Sequence, residues 1–499
     1  MARLRVPQQA FRNFLSILIG FALGAANNLV VLPWAFGSEL EAWGLVRVAA
    51  AWATLLAPIL AFGSPAAMNR FKGDLEKEGR LARLNGTLLW PLLILFTGAI
   101  ALPAWFMPEQ IARLLDLEGT DAHAVRPIAI LGGIMALQIY LSGYLSTRLK
   151  TALATFARET FFKFGYLALG IALGLGWLSV GSFLPAFVAL QTIVLLLLIA
   201  QALANRFTLN LAGLKDATLR TEAWRYGGTM VLGSSAIVVL SQIDVIMVGR
   251  LMDLSVVPAF TIAVFIATVT GIPQRAFFRL LQPLIANSLH AGNEKDTWRL
   301  VGMTHRNMLL IGGWILTCIW VSMPEVNRIL PEPFRGLEWV VLTIGAARVL
   351  QGSALGSNIL LGQSDHYRHT ILLNWMCVAI AVPMNLLLIP ESGAGWGMTG
   401  AAVATLVALG ASITTRQWVV WRIWHRYVPN GKSIAILIAL ALPAISIVHW
   451  QPAGPAWLYL LLKSAVVTAW VAMCAWKFNL APEAWAQVSA KLARSTKPQ

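Results

Sequence analysis

"FLPAFVALQTIVLLLLIAQALA", residues 183–204, runs for twenty-two positions without a charged side chain. About 20 predominantly apolar residues in a helix span the hydrocarbon core of a bilayer. Windows of this kind recur along the whole chain, at roughly 14–36, 43–64, 84–106, 124–146, 160–180, 183–204, 226–248, 256–280, 302–323, 338–361, 370–390, 397–420, 433–449 and 456–476. Barrel strands would alternate polar and apolar side chains in segments of about ten residues, and these windows do not. The sequence therefore predicts an all-α, polytopic membrane protein of about fourteen spans. The thirteenth window is short and carries Pro443; without it the C-terminus would change sides.

Composition agrees. The 499 residues are 58% hydrophobic and only 12% charged, against about 25% charged in soluble chains. Mean hydropathy is +0.69. Very little chain is left over for a soluble domain.

The net charge of +16 invites a nucleic-acid reading, but its distribution opposes one. With the N-terminus in the cytoplasm, thirty of the 38 Lys and Arg fall on the inner side and five on the outer: Arg113, Arg126, Arg250, Arg328 and Arg335. This positive-inside bias orients the chain, with both termini cytoplasmic. Attraction to the anionic inner leaflet accounts for the basic excess, and no nucleic-acid partner is expected. The three cysteines, Cys318, Cys377 and Cys474, lie inside spans, without metal-ligand spacing. The start has a basic region and small residues near Ala25, as a secretion signal does. Its apolar run resumes in "LVVLPWAFG", which favours an uncleaved first helix.

The connection at 205–228 separates six spans from eight. Around it the sequence suggests a bundle at 1–204, a cytoplasmic linker at 205–225, a second bundle at 226–424, and two further spans with a tail at 425–499. The halves are faintly alike: 27–52 and 241–266 each carry a polar residue, an apolar run, a Gly, a short turn and another apolar run. An even number of spans between them makes the repeats parallel, an arrangement that in transporters frames a substrate site between two pseudo-symmetric bundles. "GFALG" (20–24), "GIALG" (170–174) and "GSALG" (352–356) set small residues four apart, which permits close helix packing.

The stretch "GSALGSNILLGQSDHYRHTILLNWMCVAIAVPMNLLLIPESGAGWGMTGAAVATLVA" (352–408) carries "ILLGQSDHYR", "MNLLLIP", a Gly-rich turn and "GAAVAT". It resembles the polysaccharide-flippase branch of the multidrug/oligosaccharidyl-lipid/polysaccharide exporter superfamily. "IDVIMVGR", "IPQRAFFRLLQPLIA" (272–286) and "LPWAFGSELEAWGL" are similar to the same branch. The resemblance implies two bundles around a central cavity. It also implies alternating-access export of a lipid-linked oligosaccharide, an undecaprenyl diphosphate, from the inner to the outer leaflet of the bacterial cytoplasmic membrane. A monomer among membrane lipids is expected.

Ionisable side chains within spans are functional hypotheses, since they persist only when paired or hydrated. Arg47 sits near the outer end of span 2, and Arg348 well inside span 10. Arg275 and Arg279, four apart in span 8, share a helix face. Guanidinium matches phosphate oxygens with a planar fork. The four are the expected substrate ligands, the alternative for Arg275 and Arg279 being anchorage at the interface by snorkelling. Lys463 reads as a snorkelling or structural lysine. Asp244 lies about four residues, roughly 6 Å, from the outer end of span 7. Asn385 and Thr399 fall at comparable depth. The resemblance implies that Asp244, with Asn385 and Thr399, could hold Na⁺ or take up H⁺ as a coupling ion. No other cofactor is expected. An Asp244 pair with Arg47 or Arg348, or a carboxylate reaching outer water, are the alternatives.

Competing functions are a lipid II flippase, a cation-coupled multidrug exporter, and, in another class, a membrane polymerase or ligase of sugar chains. In-span arginines favour an anionic substrate over cationic drugs. An enzyme of that kind needs an outer loop with acid–base groups. The outer loops here are short, His123 and His449 are isolated, and no enzymatic activity is expected.

Overall fold

The computed structural model describes residues 16, 18–77, 81–114, 125–148, 151–428, 431–450 and 454–480. Their regular structure is helical throughout, without strands among the described residues. Among the described residues ten helices are long and apolar enough to cross a membrane, or twelve if each of two bent pairs forms one span. Two of the fourteen expected windows fall short of that test, for different reasons. The 160–180 window lies on a helix from 151 to 174 whose first turns carry Arg158, Glu159 and Lys163. The thirteenth lies on Gly431–Ile447, apolar but only 17 residues long.

The chain divides into two compact units, Met1–Pro258 and Ala259–Gln499. In the first unit the long elements are α1 (Leu18–Phe36), α2 (Leu40–Leu60), α3 (Ser64–Lys77), α4 (Leu81–Phe106), α5 (Val125–Thr147), α6 (residues 151–174), α7 (Val180–Ala204) and α8 (Ala217–Leu251). Three of them contain a π turn, at Asn27–Val31, Phe96–Ala101 and Phe156–Phe161. The first two directly precede Pro33 and Pro103. A proline lacks its amide donor and its ring crowds the carbonyl four residues back. A widened turn absorbs both problems: the Leu32 amide bonds the Asn27 carbonyl, five residues back.

The core of this unit is built on α5, against which α2, α3 and α7 pack. Tyr140 and Tyr144 are buried there, and their hydroxyls donate to the carbonyls of Asn85 (2.7 Å) and Asn205 (2.9 Å). The connection expected to be a linker is docked on α4. Asn85 Nδ2 donates to Thr208 O at 3.0 Å, and Trp224 Nε1 donates to Thr87 O at 2.9 Å. Helix α8 packs along α2. At Gly44 the turn after α8 comes so close that an added Cβ would lie 1.9 Å from the Leu254 carbonyl oxygen. Only glycine permits that approach. The turn itself is pinned by Asp253, which accepts the Ser255 amide hydrogen at 2.7 Å. That bond, with the Ser255 hydroxyl, holds the carboxyl below the usual range.

In the second unit follow α9 (Val257–Thr268), whose first two residues belong to the first unit, α10 (Ile272–His290), α11 (Glu294–Ile329), α12 (Glu338–Ser353), α13 (Leu355–Gln363), α14 (Arg368–Leu388), α15 (Gly397–Trp424), α16 (Gly431–Ile447) and α17 (Ala456–Lys477). The 36-residue α11 is the central post, packed by α10, α12, α16 and α17. The α12 span bends by 48° into α13. That bend falls in "GSALG", one of the small-residue motifs; a Cβ added at Gly356 there would lie 3.0 Å from the backbone of Val301 on α11.

Lys463 does not snorkel. It is fully buried on α17, 2.8 Å from a carboxylate oxygen of Glu325 on α11, which is equally buried. Its ammonium also donates to the Val321 carbonyl at 3.1 Å. The apolar window at 302–323 stops two residues short of Glu325, whereas the helix continues to Ile329.

Candidate functional site

Two of the four expected substrate arginines converge within the second unit. The Thr268–Gly271 turn opens α10, and Gln274, Arg275 and Phe278 follow on its first two turns. Arg348 and Gln351 come from the last turns of α12. Together with Gly271 these side chains line a cavity of about 360 Å³, within the usual range of small-ligand sites. Among the described residues no acidic side chain lines it.

Spacing within each helix explains the arrangement. Positions three apart lie on one face, so Arg275 and Phe278 point the same way, as do Arg348 and Gln351. Arg348 Nη1 donates to Gln351 Oε1 at 3.1 Å. A neutral amide thus orients this guanidinium. Arg275 is exposed and makes no hydrogen bond or ion pair among the described residues. The cavity therefore combines two cations, two amides and one aromatic ring. Chemically it suits an oxyanion with several acceptor oxygens. The side chain of Arg279 lies outside the described part of the structure.

Arg47 stands in the first unit, on α2. Its guanidinium lies beside the Tyr166 hydroxyl of α6. The contact is loose: neither Arg47 Nε nor the Tyr166 hydroxyl completes a well-aligned hydrogen bond. Aromatic rings close the surroundings. Tyr166 stacks on Phe162 at 6.0 Å and meets Phe187 edge-on at 5.3 Å and Phe183 at 5.9 Å. No carboxylate pairs with Arg47 among the described residues. Asn27, in the π turn of α1, is buried with its amide oxygen unpartnered.

The three residues expected to bind a coupling ion fall in both units. Asp244 is buried on α8 in the first, between Ile243 and the buried Val245, Ile246 and Met247. Asn385 and Thr399 belong to the second, on the α14–α15 hairpin. Asn385 is fully buried and Thr399 half-buried. The Trp396 amide bonds the Leu388 carbonyl at 2.9 Å, and Gly400 packs against the same residue. That antiparallel register puts Asn385 nearly one turn deeper than Leu388, at the level bracketed by Thr399 and Thr405. Among the described residues no three His, Cys, Asp or Glu side chains are grouped to hold a metal ion.

Sequence reasoning passed over Gln274, Gln351 and Tyr166. The signal was present: each is a polar side chain one to four residues from an in-span arginine, or on a neighbouring apolar helix. It could not say which would meet.

Neither a family model nor a curated protein matches the chain. Solved structures do. The lipid II flippase MurJ in an inward closed conformation aligns with 94% of this chain and 99% of its own, at a TM-score of 0.69 and 12% identity. A multidrug-resistance MATE-family transporter of the MOP superfamily aligns in its inward-facing form with 83% of this chain and 94% of its own, at 0.57 and 16%. The outward-facing form of such a transporter gives 0.55 over the same share of this chain. The chain therefore has the fold of these membrane transporters.

Proposed function

We propose that the chain is a flippase of the bacterial cytoplasmic membrane. Its substrate in this reading is a lipid-linked oligosaccharide diphosphate, carried from the inner to the outer leaflet by alternating access. The observation that carries the reading is the cavity lined by both Arg275 and Arg348, with no acidic side chain among its described walls, in a fold shared with a flippase of a lipid-linked substrate. A cationic drug would find two repelling charges in that cavity. A second reading, transport of lipid II itself, is favoured by the alignment with the lipid II flippase over 94% of the chain.

Asp244 is assigned to coupling. A carboxylate buried in a span is tolerable when it binds a cation or a proton, and hard cations take oxygen ligands such as that of Asp244.

The test is translocation by the purified chain in proteoliposomes. A fluorescent undecaprenyl-diphosphate oligosaccharide, lipid II and a cationic dye are compared at varied Na⁺ and pH. The oligosaccharide lipid is expected to move fastest, with the ion dependence lost in Asp244→Asn. Movement of the dye alone ends the flippase reading, and movement of lipid II alone selects the second one. An Asp244→Asn protein with the parent's ion and pH dependence removes Asp244 from coupling.

A further inference from the structure

The 48° bend between α12 and α13 breaks a backbone ladder inside a span. In an unbroken helix the Ser353 carbonyl would accept the Ser357 amide. Here the ladder skips it. The Ala354 amide closes α12 on the Leu350 carbonyl at 3.1 Å, and the Asn358 amide opens α13 on the Ala354 carbonyl at 2.9 Å. Ser353 is buried, and a backbone carbonyl left unpaired at such a place is costly.

Its donor comes from another helix. The carbonyl can only accept, so Nδ1 of the buried His305, on α11, carries the proton and donates to it at 3.0 Å. The neutral ring then accepts from the Ser433 hydroxyl at Nε2, over 3.1 Å. Ser433 lies in the first turn of α16. One histidine thus ties α11 to the end of α12 and the start of α16.

Packing leaves that end of α12 room to move. Arg348 and Gln351 line the cavity of about 360 Å³ described above. Leu350 and Ser353 line a second one of about 460 Å³, shared with His305, Thr414 and Gln417. The last turns of α12 therefore have open space on two sides, where close-packed neighbours would otherwise hold them. What the bend positions is the first of these cavities. Helix α12 packs on the Val269–Gly271 turn that opens α10, and α13 packs on α10 itself. At Gly352 an added Cβ would lie 4.0 Å from the Gln274 side chain. The angle between α12 and α13 therefore sets where Arg348 stands relative to Arg275.

We propose that His305 positions Arg348 by holding this bend. The Ser353 carbonyl has two alternative donors, His305 Nδ1 in the bent span and the Ser357 amide in a straight one, and the histidine decides for the first. The proposal rests on the reading of the Arg275–Arg348 cavity as the diphosphate site.

Two measurements on the full-length chain test it. Spin labels at Trp339→Cys and Gly362→Cys, with the native cysteines replaced by alanine, report the bend without substrate. With about 1.5 Å of rise per residue, straightening a 48° bend between them lengthens their separation by about 3 Å. Translocation of the fluorescent undecaprenyl-diphosphate oligosaccharide reports the site. In His305→Phe, which keeps a ring and loses the donor, the separation should lengthen and translocation should fall about tenfold. His305→Asn puts an amide donor where Nδ1 stands and should keep the parent's separation and most of its rate, as should Ser433→Ala. The parent's separation in His305→Phe overturns the proposal. So does a His305→Asn protein that behaves like His305→Phe, because the ring would then act through its bulk. A lengthened separation with the parent's translocation rate, in a chain that Arg348→Ala slows, overturns the positioning role. An Arg348→Ala protein that translocates like the parent instead removes the diphosphate reading, and the proposed role of His305 in transport falls with it.

Discussion

Lys463→Met and Glu325→Leu are each expected to destabilise the protein severely, and the double variant to recover most of the loss. The two side chains lie 2.8 Å apart at 0% and 1% exposure. Val321 of α11 and Val467 of α17, each four residues from the pair on its own helix, are fully buried as well. Removing one partner leaves the other as a bare charge in hydrocarbon, a change that costs about 3–5 kcal/mol in buried pairs. Replacing both with apolar side chains of similar volume is often neutral or stabilising. The surroundings favour that outcome, because the pair is not well satisfied. The Lys463 ammonium has a second acceptor in the Val321 carbonyl, but the other carboxylate oxygen of Glu325 has no donor among the described residues. Thermal unfolding in detergent of the four proteins of the cycle measures this directly. A double variant as unstable as the two single losses added together would show that the ion pair is not what joins α17 to α11.

The same pair shows where the sequence stops being legible. Apolar windows report helices because the bilayer imposes one length and one hydrogen-bonding solution. The reading of 183–204 therefore matches a helix at Val180–Ala204 within a few residues. The window at 160–180 was less faithful, since the helix starts at 151 and runs through charges that a hydropathy scan avoids. For single side chains the limit is partnership. A lone lysine in a span announces that something must compensate it, but Glu325 lies on another helix far along the chain, and nothing local names it. Arg275 and Arg348 were visible as charges in apolar surroundings. Their convergence was not, because it depends on how α10 and α12 pack on α11. Gln351 orients Arg348 through a spacing of three residues, which is readable only once Arg348 is known to matter.

The largest functional effect is expected from Arg348→Ala and Arg275→Ala. A hydrogen bond to a charged group contributes about 1.5–3 kcal/mol, and each 1.4 kcal/mol is a factor of ten. Each single variant should therefore lose about 10- to 100-fold in the rate of translocation of a lipid-linked diphosphate at subsaturating substrate, and the double variant should be inactive. Lysine at either position discriminates between mechanisms. A cation that only anchors the helix at the lipid interface is replaced fully by lysine, whose flexible stem snorkels as well. A guanidinium that grips phosphate oxygens with its fork is not, since an ammonium offers a point charge. Arg348→Lys should recover part of the rate but not all of it, and it should also release Gln351, whose amide oxygen now accepts from Arg348 Nη1 at 3.1 Å. Gln351→Leu therefore becomes the accompanying test of orientation. It removes no charge, yet it should slow translocation by weakening the aim of Arg348 while leaving thermal stability near that of the parent. If Arg275→Ala, Arg348→Ala and their combination all translocate at the parent's rate with the fold intact, the cavity between α10 and α12 is not where the anionic head is held. The half-buried Arg47, with its loose contact to Tyr166, would then be the next guanidinium to remove.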